Sequence, residues 1–389
     1  MACGLALCAV PARAQESRAE QIASQQEEKA GHLAPPERSR AEQLFLRATR
    51  GLVQTPEGVY PYIDSVYGGG GFTLGAGYRR FSGDNTLWDL RGLYSIKQYK
   101  LIELSTTSRD HWGGRLDVRG LVGWRDATQV GYWGLGMATL EDDRANFRFQ
   151  QTYAAADLRA RPRPWAVLDA GLAYEDYRTR EGQGDYPSIG DRFTPVTAPG
   201  LGADPSFWRA RAAAAIDTRP AEDYARHGSL CRLTYNSYLD PGDTYSFDRL
   251  DAEAVQHVPI LRETWVLSLR ARLQTVLDDD DTVPYFLMPA LGSGSTLRGF
   301  SSWRFRDRHA LLLQGEWRWF PNRYVLDVAL FYDAGKVVSR RNQLDLDGLA
   351  TNFGVGIRFH TGVATPLRVE IAHSDEADWK LVFAGSATF

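Results

Sequence analysis

Long apolar runs are missing from this 389-residue chain. No stretch reaches the roughly 18 apolar residues that a spanning helix requires. That excludes a helical membrane anchor but not a transmembrane β-barrel, whose strands alternate lipid-facing and inward-facing residues and so average out as polar. An excess of positive charge is missing as well: 45 Lys and Arg against 48 Asp and Glu leave a net charge of −3. No global basic field therefore points to nucleic acid. Cysteine is scarce, with only Cys3, Cys8 and Cys231 in the chain.

The N-terminus "MACGLALCAVPARAQES" has a short apolar core followed by Ala12-Arg13-Ala14, an A-x-A cleavage pattern. Residues 1–14 are expected to be a secretory signal peptide. No basic residue precedes the apolar core, so the natural start is expected upstream. A lipid anchor through Cys8 is disfavoured, because Leu7 stands where a small residue is needed. Cleavage after Ala14 leaves Cys231 alone, so no internal disulfide is available in spite of the oxidising compartment that export implies. Residues 15–57, rich in Gln, Glu, Arg and Ala around Pro35-Pro36, read as a polar periplasmic segment too short for a conventional folded module.

Aromatics and glycine are what the chain has in plenty: 11 Trp, 18 Tyr, 17 Phe and 37 Gly. From Val59 onward the pattern has period two, which signals strands. In "LLLQGEWRW" (311–319), Leu311, Leu313, Trp317 and Trp319 alternate with Gln314, Glu316 and Arg318. In "DVALFYDAG" (327–335), Val328, Leu330, Tyr332 and Ala334 face one way, and Asp327, Phe331, Asp333 and Gly335 the other. "FGVGIRFH" (353–360) and 367–371 repeat the alternation, and "WKLVFAGSATF" puts Trp379, Leu381, Phe383 and Phe389 on one expected face. Apolar residues on one side with Arg, Glu, Asp and Gly on the other suit an all-β transmembrane antiparallel barrel over 58–389, with lipid outside and water inside. Closure lets strands cross a bilayer without unpaired edges.

The pattern predicts sixteen strands, the first at 58–67, the next at 70–81 and the last at 379–389; fourteen is the alternative. Short turns such as 161–164 then alternate with long outer loops at 127–144, 180–206, 278–310 and 339–350. Trp265, Trp317, Trp319 and Trp379, near strand ends, read as interfacial anchors.

The loop 278–310 holds "GSGSTLRGFSSWRFRD", in which Arg298 stands between Leu297 and Gly299-Phe300. Glu316 and Asp333 fall on the inward face by the alternation, and a guanidinium fork can bridge two carboxylates. Gly299 permits a tight backbone and Phe300 an anchor on the inner wall, so the loop is expected to fold into the lumen as a plug. These residues resemble a known family. Leu297-Arg298-Gly299-Phe300 is similar to the (V/I)RG(F/Y) lid-loop motif of the BamA/TamA superfamily of outer-membrane assembly barrels, the bacterial surface antigens. Phe331-Tyr332-Asp333-Ala334-Gly335 matches its F-x-D-x-G strand motif. "GVGIRFHTGVATPLRVEIA" and the C-terminal aromatics Phe383 and Phe389 resemble its last strands. Ile216-Asp217-Thr218-Arg219 with Gly228 resembles a mid-barrel D-x-R…G element.

The resemblance implies that Arg298 pairs with Asp333, with Glu316 as second partner. It implies a bacterial outer-membrane location, and an activity in inserting other β-barrels or moving polypeptides across the membrane. Implied partners are membrane lipids and lipopolysaccharide, unfolded β-barrel or secreted polypeptide clients, and a separate periplasmic protein where the family's POTRA domains would otherwise serve. The family mechanism also implies a weak seam between the first and last strands, here 58–67 against 379–389, where Ala384, Gly385 and Ala387 are small. The alternative reading is a passive channel or structural barrel.

Other candidates carry less. The acidic run 278–281 reads as a solvated loop rather than a cation site, and Asp345-Leu346-Asp347-Gly348 as a turn. His373-Ser374-Asp375 are adjacent, so alternation sends them to different sides, whereas a triad must converge. No catalytic residue, metal site or cofactor is expected, and no enzymatic activity.

Overall fold

A computed structural model of the chain describes residues 57–389 apart from 63, 223, 262, 279–282, 323–325, 361–364, 366, 377 and 386–388. The expected signal peptide, nearly all of the polar segment, three of the four acids at 278–281, and Ala387 lie outside the described residues.

Alternation produces the expected architecture. Among the described residues, sixteen antiparallel strands are hydrogen-bonded in chain order in one sheet. They are β1 (Gly58–Tyr62), β2 (Thr73–Ser82), β3 (Thr86–Ser95), β4 (Lys100–Asp110), β5 (Leu116–Tyr132), β6 (Ala145–Arg163), β7 (Ala166–Glu181) and β8 (Ser206–Asp217). There follow β9 (Gly228–Leu239), β10 (Phe247–Ile260), β11 (Trp265–Val276), β12 (His309–Asn322), β13 (Leu326–Val338), β14 (Ala350–Phe359), β15 (Leu367–Ser374) and β16 (Lys380–Ala384). The connection between β11 and β12 adds a small ladder of its own, Ala290–Leu291 against Phe305–Arg306.

The two faces are opposite in chemistry. Leu90, Ile102, Leu172, Leu233, Leu330 and Phe353 are exposed on the outer face, whereas Arg298, Arg358, Arg368, Asp327 and Asp333 are buried on the inner side. In water such an outer face would be an aggregation surface; against lipid it is the favourable one. Tryptophans mark the rims as expected: Trp265 stacks on Trp319 at 5.7 Å and lies 5.8 Å from Trp317 at the turn end, with Trp379 on the loop end.

Strand lengths are uneven. A spanning β-strand needs about 9–11 residues; β5, β6 and β7 have 17, 19 and 16 and project past that height, while β1 and β16 have five each. Among the described residues the expected first strand, 58–67, ends at Tyr62, and Asp64 then caps the backbone of Ser65 at 2.7 Å. Gly69 and Gly71, in the run 68–71, hold φ of +89° and +73°, which keeps that run out of a ladder, so the expected strand at 70–81 starts at Thr73. Among the described residues the last strand ends at Ala384, short of the expected 389. Phe389 lies on the inner side: its ring is 6.3 Å from His257 and packs on Val167, Ala215, Leu230 and Val255. Among the described residues no ladder joins β1 to β16.

Candidate functional site: the lid-loop lock

The register of β12–β15 sets the lock. Gln314 pairs with Asp333, Asp333 with Asn352 and Asn352 with Ser374, which forms one inward row. Toward the turn end, Gly356 pairs with Glu370 four residues along from that row, and Arg358 pairs with Asp327 six residues along. Gly354 and Gly356 leave room there: a Cβ on Gly354 would lie 2.4 Å from the Phe331 ring, and one on Gly356 2.5 Å from Glu370.

Arg298 enters this pocket from the lid loop. Its Nε donates to Asp333 Oδ2 at 2.8 Å and its Nη2 to Asp333 Oδ1 at 2.6 Å. Nη1 donates to Glu316 Oε1 at 2.7 Å and to Glu370 Oε1 at 3.2 Å. The guanidinium carbon sits 3.5 Å from the centre of the Phe331 ring, a cation–π contact in a desolvated site. Asp333 is also held by Gln314 at 3.0 Å and Asn352 at 2.8 Å. Arg358 forks onto Glu316 at 2.8 and 2.6 Å and reaches Glu370 at 3.0 Å. Arg368 bonds Glu370 at 3.0 Å and the carbonyl of Gly294 at 2.7 Å, and Arg318 bonds Asp327 at 3.2 Å. Four guanidiniums (Arg298, Arg318, Arg358, Arg368) thus meet four carboxylates (Glu316, Asp327, Asp333, Glu370), each at most 2% exposed. Balanced charge matters because an unpaired buried ion costs several kcal/mol.

The rest of the motif supports the arginine. Leu297 and Phe300 are buried with Leu291, Phe305, Leu312 and Val337, and Phe300 meets Phe305 edge-on at 5.1 Å. Gly299 is required for close approach: a Cβ there would lie 2.7 Å from Asn352 Cβ and 2.9 Å from Ser374 Cβ. Gly335 plays the same part toward the lid, since its Cβ would lie 2.9 Å from Leu291. The structure therefore brings together Arg298, Glu316, Asp333, Phe331, Gly335, Leu297, Gly299 and Phe300, and leaves Phe383 on the outer face and Phe389 at the far, turn end.

Sequence reasoning missed Glu370, Arg358, Arg368 and Asn352 as members of the lock. Their inward parity was visible, but their height was not, because height depends on register. The adjacent His373 and Ser374 part as expected: Ser374 Oγ donates to Gly299 O at 3.1 Å, while the His373 ring lies outside against Phe353 and Trp379. Asp345 and the Asp347 carbonyl grip Lys336 from the turn 345–348.

A family model described as the Omp85 superfamily domain matches residues 81–384. Among solved structures, BamA from Haemophilus ducreyi lacking POTRA domains 1–3 superposes with a TM-score of 0.61 at 14% identity, over 84% of this chain and 68% of that one. CdiB from Escherichia coli follows with a TM-score of 0.56 at 13% identity, over 85% and 63% of the two chains. CdiB from Acinetobacter baumannii gives 0.50 at 12% identity, over 85% and 56%. The chain thus spans about two thirds of the length of the first and less of the CdiB chains, and at these identities the likeness shows the fold alone. Curated protein sequences give no match. The family match covers well over half of the chain and takes in β3 to β16 with the whole lock: the chain belongs to the Omp85 superfamily of outer-membrane β-barrels.

Proposed function

We propose that this barrel assists the insertion and assembly of other outer-membrane β-barrel proteins, or the passage of polypeptides across that membrane. The observation that carries the reading is the lid loop, held inside an Omp85 barrel by Arg298 on Asp333 and Glu316. The class of client, unfolded β-barrels or secreted chains, is the one the family resemblance implies. Membrane lipids, lipopolysaccharide and a separate periplasmic partner complete the proposed set, and no step requires catalytic chemistry or a cofactor.

The wall supports an action at its edge. Among the described residues β1 and β16 run for five residues each, fewer than a bilayer core requires, which supports local thinning of the lipid beside them, at a cost of fractions of a kcal/mol per Å of mismatch. A locked lumen argues against the second reading, a passive channel.

The test reconstitutes the purified mature protein in liposomes and times the folding of an unfolded client barrel. Empty liposomes and the Arg298→Ala variant run alongside. Acceleration by the wild type, weakened in the variant, is expected. No acceleration together with steady ion conductance would establish the channel reading instead.

A further inference from the structure

Outer-membrane barrels carry short turns on the periplasmic side, and a hairpin needs only two residues to reverse direction. The β8–β9 connection, 218–227, is far longer and does not hang free. Its base is the D-x-R…G element. Arg219 forks onto Asp217 with Nε–Oδ1 and Nη2–Oδ2 both at 3.0 Å. Gly228 holds φ of +99°, and a Cβ on it would lie 2.6 Å from the Thr218 carbonyl. Thr218 N donates to Ser229 O at 2.8 Å, which closes the base of the connection.

From that base the segment reaches two distant walls. Glu222 pairs with Arg159 on β6 at 3.3 Å. Tyr224 stacks on His360, just past β14, with ring centres 4.2 Å apart, and its hydroxyl lies 3.3 Å from His360 Nε2. The Ala225 carbonyl accepts from Arg318 Nη1 on β12 at 3.1 Å, and Arg226 lies over the Phe320 ring at 4.1 Å. Tyr224 and Ala225 are buried, with Val266 and Phe320 completing a small apolar cluster. β6 and β14 stand eight apart in an order of sixteen, halfway round the sheet. A connection that served only to turn the chain would touch β8 and β9.

We propose that the β8–β9 connection is a second gate, closing the periplasmic mouth of the lumen beneath the lid loop, so that ions or polypeptide meet two closures in series. The proposal concerns passage through the lumen and stands or falls independently of insertion activity, which the client-folding assay reads separately. Series closure has a specific signature: releasing either gate leaves the other shut.

The full mature chain is placed in planar bilayers as wild type, as Arg298→Ala, as Tyr224→Ala with Arg226→Ala, and as the combination. Each is first checked for a folded, heat-modifiable band. The combination is expected to conduct roughly tenfold or more above the product of the separate effects. Arg298→Ala conducting as well as the combination would overturn the proposal. A second measurement uses the thiol reactivity of Arg211→Cys, on the inner face of β8, with Cys231→Ser and the lid intact. A charged thiol reagent should reach that cysteine roughly tenfold faster once Tyr224 and Arg226 are removed, and an unchanged rate would equally overturn the gate.

Discussion

The Arg298 guanidinium and the Asp333 carboxylate meet through two parallel bonds of 2.8 and 2.6 Å, between a loop and a strand 35 residues apart in sequence. Parallel bonding fixes direction as well as distance. The third nitrogen of the fork, Nη1, is thereby aimed at Glu316 and Glu370, which bring in β12 and β15. One arginine from the lid thus touches carboxylates on three strands, and Arg358 closes the group from the fourth. The loop is held as a unit against a patch of wall.

Removing Arg298 should be costly because the pocket then holds carboxylates in excess. Breaking a buried pair at one partner typically costs about 3–5 kcal/mol. Arg298→Ala is expected to lower the temperature at which the folded band is lost in heat-modifiability gels. Exchanging the charges, Arg298→Asp with Asp333→Arg, should recover part of the loss. Equal melting of wild type and Arg298→Ala would remove the lock from the stability of the barrel.

Gly299→Ala tests the fit without touching charge. The added methyl would meet Asn352 Cβ and Ser374 Cβ, both fixed on strands, so the lid has to lift. Overpacking of this kind costs about 1–3 kcal/mol. Faster proteolytic cutting in 292–307 is expected, with no change for Gly190→Ala, whose methyl meets nothing within 4 Å. Unchanged cutting would mean that the strands yield.

Much of this was legible in the residues alone. Strict alternation in 311–319 and 327–335 gives inward parity directly, and Arg298, Glu316 and Asp333 could be assembled from it. Register could not be read, because a shift of two residues preserves parity while moving every side chain by one row. Glu370 and Arg358 stayed hidden for that reason. Strand ends were displaced where glycine intervened, as at 68–71. Of the β8–β9 segment "TRPAEDYARH", the residues alone revealed only the D-x-R…G element at its base. Only its contacts with β6, β12 and β14, distant in sequence, distinguish it.

The lid also reaches the opposite end of the strand order. Trp303 Nε1 donates to the Gly68 carbonyl at 3.1 Å, and its ring stacks on Tyr67 at 4.9 Å, between β1 and β2. On the other side, Arg304 bonds Glu376 at 2.8 Å in the β15–β16 connection. One loop therefore holds both ends of the sheet. Trp303→Ala forfeits a stacked pair and a hydrogen bond, on the order of 1–3 kcal/mol together. Amides of β1 and β2 should exchange hydrogen faster, with β5–β7 unchanged. A uniform change across all strands would argue that Trp303 supports general packing instead.

The contact between Tyr224 and His360 should respond to acid. Burial, reinforced by Arg318 and Arg226 and opposed by Asp327, pushes the His360 imidazole down to about 4. Its ring stacks on Tyr224, while Tyr224, Arg226, Arg318 and Asp327 are the titratable and charged groups around it. The folded state holds the neutral ring, so its contribution is present above the ordinary histidine value of about 6.5 and is lost as pH falls toward 4. Protonation would set a third cation beside Arg226 and Arg318 and expel the ring from the stack. With the lid released by Arg298→Ala, leak conductance should therefore climb between pH 6.5 and 4.5. His360→Phe keeps the stacked ring but cannot titrate, and should flatten that rise. An identical pH profile in the two proteins would place the acid response elsewhere, among the carboxylates of the lock.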